Sequence, residues 1–305
     1  MLVQKKELVK SLQMAMPGIE SGSAVLQGAD CFVFYDGKIF TYNDSISVTV
    51  PISSEGLLEE GIEGCVKAEE FFKTVSKLPG DEIKFSVTEK NTWSLKCGKA
   101  KLEMTLLDFD YAARLKNIAP KENKWMDLNE DFISGVSVCK MSGNKTQLSG
   151  VYIEGDSIVS TDGNQMNIYT LKDIELPKIW ISDSSAAELI KLNKLVAVQL
   201  QDTWVHFKAE DGTLFSIKTL QANGFPYERI KEIMDNSDVK KAILHTKFPK
   251  EMFSAIDRAV SFSMNISECS AVRLGISKEK IVVSSERSTG KYNEKVSWDE
   301  EIAED

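Results

Sequence analysis

The stretch Cys31-Phe-Val-Phe-Tyr-Asp36-Gly37-Lys38-Ile39-Phe-Thr-Tyr42 decides the fold class. Two runs rich in aromatic and β-branched residues flank Asp36-Gly37, a pair that readily adopts the left-handed backbone of a tight turn. The segment therefore reads as a β-hairpin. Upstream, residues 6–13 carry Leu8, Val9 and Leu12 at helical spacing, and residues 67–78 do the same with Phe71, Phe72 and Val75 before Pro79-Gly80 ends the helix. Residues 82–87, 93–97 and 101–107 then read as three antiparallel strands. One amphipathic helix alternates with several short strands.

The same grammar restarts twice. Asn129 caps a helix over residues 129–138, and a hairpin over 151–160 turns at Gly155-Asp156. A helix over 184–192 precedes strands at 196–200, 204–208 and 214–219. The third start is a helix over 249–260, followed by strands at 271–275, 280–284 and 295–298. The hairpin turns at Gly37, Gly155 and Lys278 are spaced by about 120 residues, one domain length. The expected domains are 1–125, 126–242 and 243–305, the last holding only the first half of the pattern. Short strands need their apolar face covered, and the helices are the available cover. The expected class is α+β, with helices on one side of the sheets; domains chained in an arc then put every helix on the same face.

Composition excludes several functions. The 305 residues include 37 Lys and Arg against 46 Asp and Glu, a net charge of −9, so nucleic-acid contact requires a local gathering of cations. No apolar run approaches the roughly 18–20 residues of a membrane helix. The N-terminus, Met1-Leu2-Val3-Gln4-Lys5-Lys6, lacks a signal peptide's apolar core, which makes a cytoplasmic protein the expectation. The five cysteines form no C-x-x-C pair and read as small buried residues rather than disulfide or zinc partners. Phosphate-cradling glycine loops are missing. Asp108 and Asp110 are the best paired carboxylates and His206 the best histidine for a hydrolase, but Asp at a strand end and His in an apolar strand have ordinary structural readings. A repetitive structural protein is the other alternative.

The second repeat carries the most specific segment, Gly150-Val-Tyr-Ile-Glu-Gly-Asp-Ser-Ile-Val-Ser-Thr161-Asp162-Gly163-Asn164-Gln165-Met166. It resembles the A-T-D-G-H-R-L segment of bacterial DNA polymerase III β subunits, the sliding clamps. Phe225-Pro226-Tyr227-Glu-Arg229-Ile230 is similar to that family's F-P-D-Y-R-R-V, and Lys67-Ala-Glu-Glu-Phe71-Phe72 through Leu78-Pro79 to its A-x-x-F-F…L-P. Ile256-Asp-Arg258-Ala-Val260 with Ala271-Val-Arg273-Leu274 resembles the start of its third domain. Asn164-Gln165 depart from the usual His-Arg, the loop around Gly18–Ala24 lacks an arginine common in relatives, and the second half of the third domain is missing. Such divergence suggests a phage or otherwise distant clamp.

The resemblance implies a ring built from repeated domains, sheets outside and helices on the concave face, each chain forming an arc. It implies a non-enzymatic processivity factor with no catalytic residue, metal or cofactor. The partners would be double-stranded DNA held topologically, a second copy in a homodimer, and a replicative polymerase and clamp loader bound through linear peptides. Residues matching the DNA-facing surface are Lys10, Lys73, Lys77, Lys140, Lys145, Gln147, Lys191, Lys194 and Arg258, with Lys5, Lys6 and Lys250 on the same helices. Lysine, a flexible point charge, suits sliding better than bidentate arginine does. The peptide site would use Leu148, Thr161, Gly163, Met166, Pro226, Arg229 and Ile230. Ring closure would use Leu102 and Met104 on an edge strand against Phe262 and the strand 293–298.

Overall fold

The computed structural model describes residues 2–20, 26–52, 63–88, 91–108, 117–121, 124–141, 148–163, 165–192, 194–236, 248–263, 271–277 and 280–297. The chain divides into two compact units, Met1–Tyr227 and Glu228–Asp305. In the first unit the elements run β1 (Leu2–Gln4), α1 (Lys5–Ala15), β2 (Cys31–Tyr35), β3 (Lys38–Tyr42), β4 (Ile46–Pro51), β5 (Gly64–Lys67), α2 (Ala68–Ser76), β6 (Glu82–Thr88), β7 (Thr92–Cys97) and β8 (Ala100–Thr105). They continue as β9 (Met126–Asp127), α3 (Asp131–Cys139), β10 (Val151–Gly155), β11 (Ser157–Thr161), β12 (Met166–Thr170), β13 (Leu176–Ile181), α4 (Asp183–Leu189), β14 (Leu195–Gln201), β15 (Trp204–Ala209) and β16 (Leu214–Lys218). Helix α5 (Tyr227–Asp235) starts at the division between the units. The second unit continues with α6 (Lys250–Ser263), β17 (Val272–Ile276), β18 (Lys280–Arg287) and β19 (Gly290–Ser297).

The expected hairpins form where the turn chemistry requires them. Asp36 and Gly37 both take positive φ (48° and 67°), and Tyr35 faces Lys38 across the turn. Asn43 shapes the next turn by accepting hydrogen bonds from the backbone N–H groups of Ser45 (2.9 Å) and Ile46 (2.7 Å).

An exchange rule governs each repeat. Each helix is followed by its own antiparallel strands, but the strand before that helix joins the sheet of the other half. Thus β1 pairs with β6 and β5 with β2; in the second repeat β9 pairs with β14 and β13 with β10. Each full module is two like halves that lend each other a strand.

Two modules fuse because β4 pairs antiparallel with β16, making one eight-stranded sheet of order β5-β2-β3-β4-β16-β15-β14-β9. Alternation then sets its two faces. Phe32, Phe34, Ile39, Val48, Phe215, Val205 and Phe207 point to the helix side, where Phe207 meets Phe132 of α3 with ring centroids 5.6 Å apart. Trp93 of β7 closes this core, 4.8 Å from Phe34 and 6.0 Å from Phe85 in edge-to-face contacts worth roughly 0.5–1.5 kcal/mol each.

The opposite face carries a buried polar row, Tyr42–Ser47–Ser216–His206–Gln199, each opposite the next across five strands. The segment before β9 covers part of it: Gln199 Nε2 donates to the Lys121 carbonyl (2.8 Å), and the Lys121 N–H donates to Gln201 Oε1 (2.7 Å). His206 is fully buried with Nδ1 2.8 Å from Ser216 Oγ. Burial pushes its pKa down from 6.5 to about 4.

In the second unit α6 packs on the three-stranded sheet β17-β18-β19, burying Met252, Ala255 and Ala259 against Ile281, Val283 and Val296. Ser285 Oγ donates to the Ala259 carbonyl (3.0 Å), fixing helix to sheet.

Between pH 4 and 6.5 the unfolded chain protonates His206 while the folded chain does not. Its contribution to stability is therefore complete above pH 6.5 and is lost as pH falls toward 4, amounting to about 3 kcal/mol at most. Urea midpoints measured from pH 7.5 down to 4.5 should fall more steeply for the native chain than for His206→Asn, whose amide retains a partner for Ser216; parallel curves would contradict this.

Candidate functional site

The lysine-bearing helices present two kinds of cation. Lys10 is exposed on α1 and lines a groove of about 540 Å³ with Met14, Pro17 and Lys191, which follows α4. A second groove, about 670 Å³, shares Met16 and Ile19 with the first and is lined by Lys67, Lys73 and the carboxylates of Glu20, Asp30, Glu69 and Glu70. The structure therefore brings Lys10 and Lys191 together and sets Lys73 in the adjoining groove. Lys77 is exposed where α2 ends, and Lys140 is half-buried where α3 ends. The Lys140 charge acts on Asp183, whose carboxyl burial pushes upward while the Met141 N–H and Lys140 pull it back.

The remaining cations are partnered. Lys73 binds Glu69 one turn earlier on α2 (2.5 Å), Lys191 binds Glu188 (2.6 Å), and Lys194 binds Glu210 (2.7 Å). The Glu210 hydrogen bond raises the Lys194 pKa, and Lys73 holds Glu69 below the usual carboxylate range. In the second unit Arg258 grips Glu294 with two nitrogens, at 3.0 and 2.5 Å, which raises its already high pKa. These cations are solvent-exposed in pairs that are individually worth little. Lys145 and Gln147 lie outside the described residues.

The peptide-site candidates lie on separate elements: the β10–β12 region and Pro226 in the first unit, and α5 in the second. Thr161 Oγ1 donates to the Gln165 carbonyl (2.8 Å) and accepts from the Gly163 N–H (3.1 Å), so Thr161 and Gly163 build the β11–β12 turn. Gly163 has φ 92°, a left-handed conformation. Met166 faces Thr161 across the ladder and is half-buried. Tyr152 of β10 is flanked in register by Trp180 of β13 and Val159 of β11. Phe225 stacks on Tyr152 with centroids 4.5 Å apart and planes 7° apart, and Tyr227 leans on it at 5.2 Å. Pro226 sits between those two aromatics in sequence. Leu148 is half-buried just before Gly150, while Arg229 is exposed and Ile230 buried on α5, within the second unit.

The sequence reading missed the packed aromatic cluster of Tyr152, Trp180 and Phe225. Period-2 alternation in Val151-Tyr152-Ile153 was the available signal: Val151 and Ile153 face the helices, so Tyr152 must face away. Its partners Trp180 and Phe225 come from distant segments. Gly150 makes the close approach possible: a Cβ there would stand 2.5 Å from the Ile181 carbonyl and 2.7 Å from Trp180 Nε1.

Leu102 and Met104 alternate with exposed residues on β8, the edge of the sheet β1-β6-β7-β8. Phe262 lies 6.1 Å from Tyr292 of β19, the edge of the second unit's sheet. The hydrolase alternative gains nothing: Asp108 is exposed, Asp110 lies outside the described residues, and His206 is sealed from solvent.

The Streptococcus pneumoniae DNA polymerase III β chain superposes with a TM-score of 0.74, covering 99% of this chain and 85% of that one at 17% identity. The fold is that of the β sliding clamps. The Bacillus subtilis clamp structure gives a TM-score of 0.73 over 99% of this chain and 84% of its own, at 21% identity. In sequence, the curated β sliding clamp of Bacillus subtilis is 26% identical over 289 residues, 84% of this chain and 72% of the relative. This chain is thus similar to the β clamps in sequence and in fold. No protein-family model matches it.

Gly150→Ala should cost roughly 2–4 kcal/mol, since φ is 144° and the new methyl meets backbone as well as indole. Thermal denaturation checks this, with Gly155→Ala as comparison: it shares a positive φ but has open space where the methyl would go.

Proposed function

We propose that the chain is a sliding clamp, a non-catalytic processivity factor that encircles duplex DNA and tethers a replicative polymerase. The observation that carries the reading is the β4–β16 junction within a fold shared with the β clamps over nearly the whole chain. Edge-to-edge pairing is how the first module continues into the second. The edges β8 and β19 offer the same chemistry between copies, which supports a ring of two chains with Leu102, Met104 and Phe262 at the closure. Each chain supplies modules 1–125, 126–242 and 243–305, and the protein works in the cytoplasm.

The cationic pattern suits retention by topology. Lys10, Lys77 and Lys140 supply charge to the phosphates, joined by Lys145 and Gln147. Lys73, Lys191, Lys194 and Arg258 contribute only by sharing with Glu69, Glu188, Glu210 and Glu294. Cations already neutralised release fewer counterions from DNA, so the grip is weak and the protein slides. Leu148, Thr161, Gly163, Met166 and Pro226 of the first unit, and Arg229 and Ile230 of the second, are the residues offered to a Leu- or Phe-bearing peptide of the polymerase or the clamp loader.

The test is retention on nicked circular DNA after assembly by the cognate loader. The protein should stay on circles and leave within minutes once the DNA is linearised; equal loss from both forms would refute a topological link. Lys10→Glu combined with Lys77→Glu and Lys140→Glu should lower the salt slope of DNA association by up to about 3. Tyr152→Ala should weaken a fluorescent polymerase-tail peptide at least roughly tenfold while leaving that slope unchanged.

A further inference from the structure

Where α1 ends, the chain makes a tight turn, Met16-Pro17-Gly18, held low against the large sheet. Thr41 Oγ1 of β3 donates to the Ala15 carbonyl (2.6 Å), and Asn43 Nδ2 donates to the Pro17 carbonyl (3.3 Å). Only glycine fits at the bottom of the turn: a Cβ on Gly18 would stand 2.3 Å from Thr41 Oγ1 and 2.9 Å from the Thr41 backbone. The Ile19 N–H closes the turn on the Met16 carbonyl (2.9 Å), and the Glu20 N–H donates to the Ala29 carbonyl (2.8 Å). Met16 and Ile19 are thereby fixed half-buried, and both line two adjoining hollows of about 540 and 670 Å³.

The apolar floor runs through both hollows. Met14 and Leu192 extend it on one side and Phe72 on the other, and all of these side chains rest on the core while staying partly open. Flexible thioethers let such a floor re-pack around a guest. The charges, by contrast, divide by hollow. The first holds Lys10, Lys191 and Glu188; Lys191 is bound to Glu188 (2.6 Å), and Lys10 has no ion pair among the described residues. The second sets Glu20, Asp30, Glu69 and Glu70 against Lys67 and Lys73. Lys67 binds Asp30 and Lys73 binds Glu69 (2.5 Å), while Glu70 has no ion pair among the described residues. One end of the floor is therefore net positive and the other net negative.

We propose that the two hollows together dock a linear peptide of a partner protein. Its large apolar side chains settle on Met16, Ile19 and Phe72, a carboxylate meets Lys10 at one end, and a lysine or arginine meets Glu70 at the other. A strand of phosphates satisfies only the first hollow and is repelled from the second, so opposite charges at the two ends select a chain that carries both signs. In the clamp proposed above Lys10 and Lys191 also serve phosphate, so peptide and duplex exclude each other; the docking site rests on the geometry of the first unit and not on that reading.

The experiment selects a displayed library of random peptides, about twelve residues each to span both hollows, on the full chain. The winners are synthesised with a fluorescein label and measured by anisotropy. One class should carry an acidic residue, one or two large apolar residues and a basic residue in that order along the groove. It should lose at least roughly tenfold in affinity for Lys10→Glu combined with Glu70→Lys, and likewise for Phe72→Ala. The charge exchange keeps the net charge and changes two exposed positions; Lys10→Gln and Glu70→Gln singly replace it if its circular dichroism is not native. A library yielding no peptide that depends on both Lys10 and Glu70 would overturn the proposal. So would a charge exchange that alters only DNA association, which assigns the face to nucleic acid, or one that alters sedimentation of the free chain, which assigns it to a second copy. Retention on nicked circles is read separately, so failure of the clamp reading leaves the peptide result standing.

Discussion

The antiparallel ladder between β4 and β16 is the contact on which the rest of the first unit depends. It joins strands more than 160 residues apart in sequence, pairing Ile46 with Ile217, Ser47 with Ser216, Val48 with Phe215 and Thr49 with Leu214. The pairing sends Val48 and Phe215 to the helix side together and both serines to the other face. A slip by one residue would reverse this and expose the apolar set, so burial on the helix side enforces the register. Without the ladder each module would end in an open edge, and the polar row from Tyr42 to Gln199 would be cut in the middle.

Edges are managed in three ways. Within a module, halves exchange the strand preceding each helix, as in β1 with β6 and β13 with β10. Between modules, edges join directly. At β8 the edge is exposed, but its outward residues are Lys101, Glu103 and Thr105, with an ion pair between the first two at 2.5 Å, which discourages indiscriminate association.

Electrostatics follow the same economy. An acidic chain can approach DNA only where local charge favours it, yet many of its helix cations are bonded to neighbouring carboxylates. Lys73 and Glu69 sit at i,i+4 spacing and stabilise their own helix; Arg258 fixes α6 to β19 through Glu294. In the clamp proposed here, structural service and phosphate contact compete for the same side chains, and movement along DNA gains from that competition.

What the sequence determined by itself is local. Asp36-Gly37 and Gly155-Asp156 specify turns because backbone conformation there depends on two residues, and the five helices read from apolar spacing formed as α1, α2, α3, α4 and α6. The repeat, and with it the α+β class and the clamp resemblance, was legible for the same reason. The short strands β1, β5, β9 and β13 were not, since two to six residues carry too little periodicity and acquire meaning only from the half-module they join. The β11–β12 turn at Thr161 and Gly163 was legible through a motif, whereas the Tyr152–Trp180–Phe225 packing and the pairing of Lys191 and Arg258 were not. Several strands in this chain share the same alternation, so pattern cannot choose among edges. Only the three-dimensional competition for burial decided which strand meets which, and which lysines remain free.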